Sequence, residues 1–321
     1  MSELRFLAIS HSPIIMIRAQ APAEEPELLD HLRRGREMVE HFDPDLIVLF
    51  GTDHFAGFQL SLMPSFCIGL EDCEAVGDIG GFAGPLDVPR REARELLAHL
   101  REENFDPAVS YRMRVDHAFS QPLTRLFGRN DRYPVIPLFI SVLTEPFHSF
   151  KRSRLFGEAV GRYAAASGKR VLLMGTGGLS HHPTRYYPLQ GEGDPEVHAY
   201  QLDRERGGAL DDAAWFKRLH DMHMEGAHML IDGTRTREHI RLNPEYDRRF
   251  LKVLERGSLA EMDGLATAET VEKAGIGFME LHSWIAAAAA YGAGGADLPI
   301  RTVYAPTLEY GIGYGMAYSD R

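Results

Sequence analysis

Four short runs dominated by apolar residues mark the sequence: Leu4 to Ile9, Leu46 to Phe50, Val135 to Ser141 and Val171 to Met174. Three of them break off abruptly, into His11-Ser12-Pro13, into Gly51-Thr52-Asp53-His54 and into Gly175-Thr176-Gly177-Gly178. Runs of this length and composition read as buried strands. Between them lie segments with helical spacing. In Glu27 to Phe42 the apolar residues Leu28, Leu32, Val39 and Phe42 share a helical face, and Asp43-Pro44 ends the segment because a residue before proline avoids the α region. Arg90 to Glu103, Ala118 to Phe127 and Leu155 to Ala166 read as further helices, and the glycine-rich stretch Gly77 to Gly84 as a loop. Strands alternating with helices specify an α/β fold, a central and mostly parallel sheet flanked by helices. A polar, turn-rich stretch runs from about Tyr186 to Gly208. Helices then dominate, at Ala213 to Ile231, Pro244 to Glu255 and Phe278 to Ala290, so the C-terminal part is helical; Ile300 to Tyr318 reads as extended. No internal repeat or linker is visible, and residues 1–321 are expected to form a single domain.

Composition narrows the partners. Hydrophobic residues make up 44% and charged residues 25% of the chain, an ordinary balance for a packed core. The net charge of -11, with no basic cluster, argues against a nucleic-acid surface. The apolar start, Phe6 to Ile9, is too short for a signal peptide, and the alanine-rich tract near Trp284 to Tyr291 is too short to span a membrane. Two cysteines, Cys67 and Cys73, supply no disulfide framework. A cytoplasmic enzyme without membrane or nucleic-acid partners is expected.

In parallel sheets, ligands bind beyond the carboxyl ends of the strands. His11, His54 and His181 all follow strands, and His117 stands in a loop just before a helix. Any one of them is as readily a capping residue, but three at one sheet edge suggest a shared purpose. Two imidazoles and one carboxylate with open positions form the facial triad of non-haem Fe(II) oxygenases, and neighbouring histidines can move protons. Two carboxylates compete for the third place. Glu245 follows Asn243-Pro244 at a helix start, where glutamate commonly serves the helix dipole. Glu280 lies among Phe278, Met279, Leu281, Trp284 and Ile285, so it is either on a wet face or buried with a partner. Spacing alone leaves the two even.

Other signals are weaker. Gly175-Thr176-Gly177-Gly178 lacks the last glycine of a dinucleotide fingerprint, because Ser180 stands there. Gly178-Leu179-Ser180-His181 resembles a nucleophile elbow without its second glycine, which keeps serine hydrolysis as an alternative. His220, His223 and His228 share a helix with Lys217, Asp221 and Glu225 and read as a solvated face, and His182 is expected to point away from His181.

Taken together, Ser10-His11-Ser12-Pro13, Asp53-His54 with Phe58, Val115-Asp116-His117 and Gly175 to His181 resemble the class III extradiol dioxygenases, the superfamily of the protocatechuate 4,5-dioxygenase β subunit. The resemblance covers nearly the whole chain. Within the superfamily it is nearest the 2,3-dihydroxyphenylpropionate 1,2-dioxygenases, through Met63-Pro64-Ser65-Phe66-Cys67, Ser110-Tyr111 and Leu155-Phe156-Gly157-Glu158-Ala159. One departure is Ala118, where glycine is common after the histidine. The resemblance implies Fe(II) held by His11, His54 and Glu280, with His117 and His181 as acid–base residues. It implies O2 and a small aromatic diol as substrates, and a homo-oligomer. A side-chain-bearing catechol is the expected substrate, with protocatechuate, gallate or aminophenol as alternatives. The Gly177 and Gly178 N–H groups are expected to support developing oxyanions. An iron-free binding protein and a metal-dependent hydrolase on the same sheet edge are the competing functions.

Overall fold

The computed structural model describes residues 2–205, 210–296 and 299–320. In chain order the elements are β1 (Glu3–Ile9), α1 (Pro13–Ile17), α2 (Glu25–Phe42), β2 (Leu46–Gly51), β3 (Phe66–Gly69), β4 (Glu74–Ala75), β5 (Gly84–Pro85), α3 (Arg90–Glu102), β6 (Ala108–Ser110), β7 (Arg114–Val115), α4 (His117–Phe127), β8 (Val135–Ile140), α5 (Phe150–Ala166) and β9 (Arg170–Thr176). There follow α6 (Pro195–Leu202), α7 (Asp212–Ile231), α8 (Pro244–Glu255), α9 (Thr267–Ala274), α10 (Leu281–Ala293), β10 (Ile300–Thr307) and β11 (Ile312–Ser319).

Eight strands form one sheet in the order β10-β11-β1-β9-β2-β8-β3-β6. The central β1, β9, β2 and β8 run parallel. The C-terminal hairpin enters through β11, antiparallel to β1, and β3 adds antiparallel to β8 at the other side. β2 and β8 are apolar at every position, and β1 and β9 at all but Glu3, Arg5, Arg170 and Thr176, because both faces are covered. Phe6, Ala8, Val48 and Phe50 enter one core with α5 and α10, whereas Leu7, Ile9, Ile47 and Leu49 enter the other with α2 and α4. In register, Ile9 lies beside Thr176, and Phe50 beside Gly175. The carboxyl ends of β1, β9 and β2 are therefore level, and the loops that follow them share one edge.

α10 is pressed unusually close to its neighbours. A Cβ on Gly157 or Gly161 of α5 would come within 2.1 Å of the carbonyl oxygen of Ala286 or Ala290, respectively. The alanine-rich tract is therefore the half of a helix contact that lets two backbones approach. This contact fixes where the N-terminal end of α10 stands over β9.

The sheet and the helical C-terminal part match the sequence-based expectation, and the final segment is extended, as the hairpin β10–β11. Four boundaries differ. α5 begins at Phe150 rather than Leu155, because Ser149 caps it by accepting the Arg152 N–H. His117 is the first residue of α4 rather than part of the preceding loop, because Asp116 caps the helix by accepting the Ala118 N–H at 2.8 Å. The turn-rich stretch contains α6, started by Asp194 and Pro195; its residues 206–208 lie outside the described residues. The helix expected from Phe278 starts at Leu281, after a 3-10 turn over Ile276–Glu280. Among the described residues no helix is long and apolar enough to cross a membrane.

Candidate active site

Five side chains meet beyond the level strand ends. His11 follows β1, His54 follows β2, His181 follows β9, His117 opens α4, and Glu280 stands immediately before α10. All five are buried. The His11 and His54 rings meet edge to face at 5.5 Å between centroids, and His54 stacks on His117 at 4.3 Å. Glu280 Oε1 lies 3.2 Å from His54 Nε2 and 3.4 Å from His11 Nε2. Glu245, the competing carboxylate, is exposed in the first turn of α8, where Asn243 is the cap.

Each imidazole is fixed from behind. His54 Nδ1 donates to Asp116 Oδ2 at 2.9 Å, and the same oxygen accepts the His54 backbone N–H. Asp116 thus caps α4 with one oxygen and orients His54 with the other. His117 Nδ1 is 2.5 Å from Asp78 Oδ2, His11 Nδ1 is 2.7 Å from Thr176 Oγ1, and His181 Nδ1 donates to the Leu179 carbonyl at 2.7 Å. Tying Nδ1 in this way aims Nε2 forward and is the usual support of metal-binding or proton-transferring histidines. Glu280 Oε2 accepts the Gly178 N–H. Oε1 is left facing the imidazoles.

Two of the forward atoms lack a partner among the described residues. His11 Nε2 and His117 Nε2 are buried with no hydrogen bond, and the His11–Glu280 contact is too poorly directed to supply one. A neutral His54 whose Nδ1–H is committed to Asp116 presents a lone pair to the Glu280 oxygen. Lone pair against lone pair is repulsive unless a cation lies between. The titration behaviour has the same cause. Burial would lower the pKa of His54, but Asp116 and Glu280 outweigh it and raise it to about 10. Burial would raise that of Glu280, yet His11 and its neighbours hold it well below the usual carboxylate range. The surroundings demand positive charge at this point. Two imidazole nitrogens and a carboxylate oxygen at 3.2–3.4 Å also match the spacing of about 3 Å expected for adjacent donors on one metal ion. The cluster is therefore a potential metal site.

A second set fits the geometry of ligation, since donor atoms of His11, His54 and His117 lie within 4.8 Å of one another, as do those of Asp78, Asp116 and His117. Asp78 and Asp116 are already committed to His117 and His54. Three neutral imidazoles would also offset none of the charge of a divalent ion, whereas Glu280 supplies an anion beside the same nitrogens. Burial, reinforced by His54, lowers the pKa of His117 to about 3, and burial lowers that of His181. Both are neutral bases near neutral pH.

A narrow cleft opens onto these nitrogens. Ile14, Leu230, Ile240 and Ile312 supply its apolar wall, and Tyr187 lies 5.0 Å from the His54 ring. The Tyr187 hydroxyl is buried and has no partner.

Several expectations need correction. His223 is not on a solvated face: it is buried, stacks on Tyr186 at 3.8 Å and lines the cleft. Its place in the apolar series Trp215, Leu219, His223 and Leu230 on α7 was the available signal; His220 and His228 are exposed as expected. His182 also lines the cleft, although its Nδ1 accepts the Ile276 N–H at 3.4 Å. The Gly177 and Gly178 N–H groups are not free for an oxyanion, since they donate to the Ile9 carbonyl and to Glu280. Ser180 donates to Asp247 Oδ2 at 2.6 Å and is bonded to no imidazole among the described residues, which removes the serine-hydrolase alternative. Asp78, Tyr187 and Arg235 were not singled out from sequence, because they lie in segments without periodicity.

Known proteins resemble this chain along its length. Residues 5–308 match the LigB family, described as the catalytic LigB subunit of aromatic ring-opening dioxygenase. A 2,3-dihydroxyphenylpropionate/2,3-dihydroxicinnamic acid 1,2-dioxygenase of Pseudomonas putida is 39% identical, covering 96% of this chain and 95% of its own. The Azotobacter vinelandii enzyme of the same description is 37% identical and covers 99% of each chain. A Burkholderia vietnamiensis relative is 39% identical over 97% of this chain and 95% of its own. With a match of this extent, the chain belongs to the LigB family of aromatic ring-opening dioxygenases.

Proposed function

We propose that this protein is a non-haem Fe(II) extradiol dioxygenase acting on a catechol with a side chain beside one hydroxyl, such as 2,3-dihydroxyphenylpropionate. The observation that carries the assignment is the convergence of His11 Nε2 and His54 Nε2 on one oxygen of the buried Glu280, with every rearward atom of these residues engaged. His11, His54 and Glu280 would hold the metal. Two imidazoles and one carboxylate with open positions suit Fe(II) and leave room for a bidentate substrate and O2. When bound, Fe(II) supplies a Lewis acid for the catechol oxygens and a route for electrons from ring to O2.

The remaining steps belong to the protein. His181, whose Nδ1–H is held by the Leu179 carbonyl, takes a proton at Nε2 from a catechol hydroxyl. His117, whose Nδ1 is tied to Asp78, takes the proton of the second catechol hydroxyl at Nε2 and returns it as the ring opens. The bond that breaks joins a hydroxyl-bearing carbon to its neighbour outside the diol, and both O2 atoms enter the product. Tyr187 offers its unpartnered hydroxyl to the substrate, and the apolar wall keeps water from the reacting carbon. Residues 1–321 act as one domain in this reading. A homo-oligomer in the cytoplasm is its natural setting, and light scattering of the purified protein checks the assembly.

The test is O2 uptake by Fe(II)-loaded protein against a panel of catechols and aminophenols, with the product followed by its visible absorption. Side-chain catechols should be consumed with a conjugated, coloured product. Turnover of protocatechuate or gallate alone would overturn the substrate class, and full activity in rigorously iron-free protein would overturn the oxygenase chemistry.

A further inference from the structure

The cleft is electrically polarised. At its inner end Asp116 and Asp78 stand behind the imidazoles, and Glu280 faces the Nε2 atoms of His11 and His54. At its outer end stands Arg235, which is 8% exposed and separates the cleft from an outer groove. Among the described residues no other lysine or arginine lines the cleft. Arg235 Nη1 donates to Tyr186 Oη at 3.0 Å, and its guanidinium lies 5.6 Å from the Tyr186 ring centroid. Tyr186 is itself braced by stacking on His223. The guanidinium is therefore held in place, yet among the described residues no carboxylate pairs with it. Of the carboxylates that line the outer groove, Asp194 is taken by Arg218 at 2.6 Å, and Glu192 forms no ion pair with Arg235 among the described residues; nearby Glu225 is taken by Arg185. His182 and His223 cannot substitute for it as cations, because burial lowers their pKa values to about 4 and about 3.

A buried guanidinium without a counter-charge is unfavourable, and its planar fork matches a carboxylate. The imidazole and carboxylate cluster at the inner end suits a diol, the apolar wall accepts a hydrocarbon spacer, and the outer end lacks one negative charge. A ligand that is a catechol at one end and a carboxylate at the other satisfies all three conditions. We propose that Arg235 is the specificity-determining residue of this site, and that it selects catechols whose side chain ends in a carboxylate over neutral alkyl catechols. This rests on the ring-opening function proposed above.

The experiment measures kcat and KM for 2,3-dihydroxyphenylpropionate and for 3-propylcatechol in Fe(II)-loaded wild type, Arg235→Met and Arg235→Lys. Charge-assisted hydrogen bonds of this kind correspond to about 10–100-fold. The acid-to-neutral ratio of kcat/KM should fall by that factor in Arg235→Met, mainly through KM, with Arg235→Lys between. A ratio unchanged within about twofold overturns the proposal while leaving ring opening intact. A wild type inert towards both catechols overturns the ring-opening reading and this one with it. Should Arg235→Met fail to fold, inhibition of the wild type decides: 3-phenylpropionate should compete with substrate at least tenfold better than 3-phenylpropanol, and equal inhibition overturns the proposal.

Discussion

Charge decides what Glu280 does. Two neutral imidazoles offset none of the charge of a divalent ion, so the anionic ligand must come from this residue. Glutamine keeps the shape, and its carbonyl oxygen can still accept the Gly178 N–H, but it removes the charge. Glu280→Gln is expected to lose bound iron, measured as metal stoichiometry, whereas the exposed Glu245→Gln should keep it and change stability by about 0.3–1 kcal/mol at most. Iron retained by Glu280→Gln and lost by Glu245→Gln would reverse the assignment. The same measurement separates the histidines. His11→Ala and His54→Ala should empty the site, while His117→Ala and His181→Ala should keep iron and slow turnover by about 10²–10⁴-fold. An iron-free His117→Ala would instead support the all-imidazole set of His11, His54 and His117. At this scale the sequence was legible where position alone conveys chemistry. His11 and His54 end strands, and strand ends are where ligands sit. Glu280 was not legible, since its burial follows from α10 being drawn against α5 by glycines far away in sequence. Arg235 and Tyr187 depend on loops whose course no periodicity announces.

The end of β9 and the loop after it assemble the site. Thr176 supports His11, Gly178 supports Glu280, and the Leu179 carbonyl supports His181. Trp284 of α10 donates to the Gly177 carbonyl at 3.1 Å, which ties the loop to the helix. The imidazole of His181 is held between two glycines: a Cβ would meet its Cε1 at 2.4 Å from Gly178 and at 2.2 Å from Gly277. Gly277→Ala should therefore push the ring aside without touching the proposed ligands. Displacement of a reacting group by about 1 Å is worth roughly 10²-fold. The expected outcome is a kcat reduced by about that factor with full iron content and a Tm within a few degrees of wild type. Unaltered kcat would show that His181 is not held as the close contacts indicate. The sequence displayed this loop as glycine-rich and suggested donors for an oxyanion. The structure shows the glycines are needed for close approach and the N–H groups are already in use. The parallel strands and long helices were legible because both faces are apolar or one stripe repeats; β3, β6 and α1 are too short to repeat anything.

In the whole molecule, the proposed ligands join the two ends of the chain. His11 stands after the first strand, His54 after the second, and Glu280 before the last helix, while the C-terminal β11 pairs with β1 beside them. A metal at this point would cross-link segments that are far apart in the unfolded chain, where no such site exists. Binding to the folded state alone adds about 2.7 kcal/mol at a hundredfold excess over Kd. For a chain of this size that amounts to a rise in Tm of roughly 5 °C. Anaerobic addition of Fe(II) to metal-free wild type should produce this rise, and a chelator should reverse it. Metal-free Glu280→Gln should melt within a few degrees of metal-free wild type, because the lower cost of burying a neutral amide offsets the loss of the carboxylate's contact with His54. It should gain little from added metal. Differential scanning fluorimetry of the two proteins, each with and without Fe(II), makes the comparison. Equal shifts in both would mean that the stabilising ion binds elsewhere, and no shift in the wild type would mean that the cluster is held together by hydrogen bonds alone.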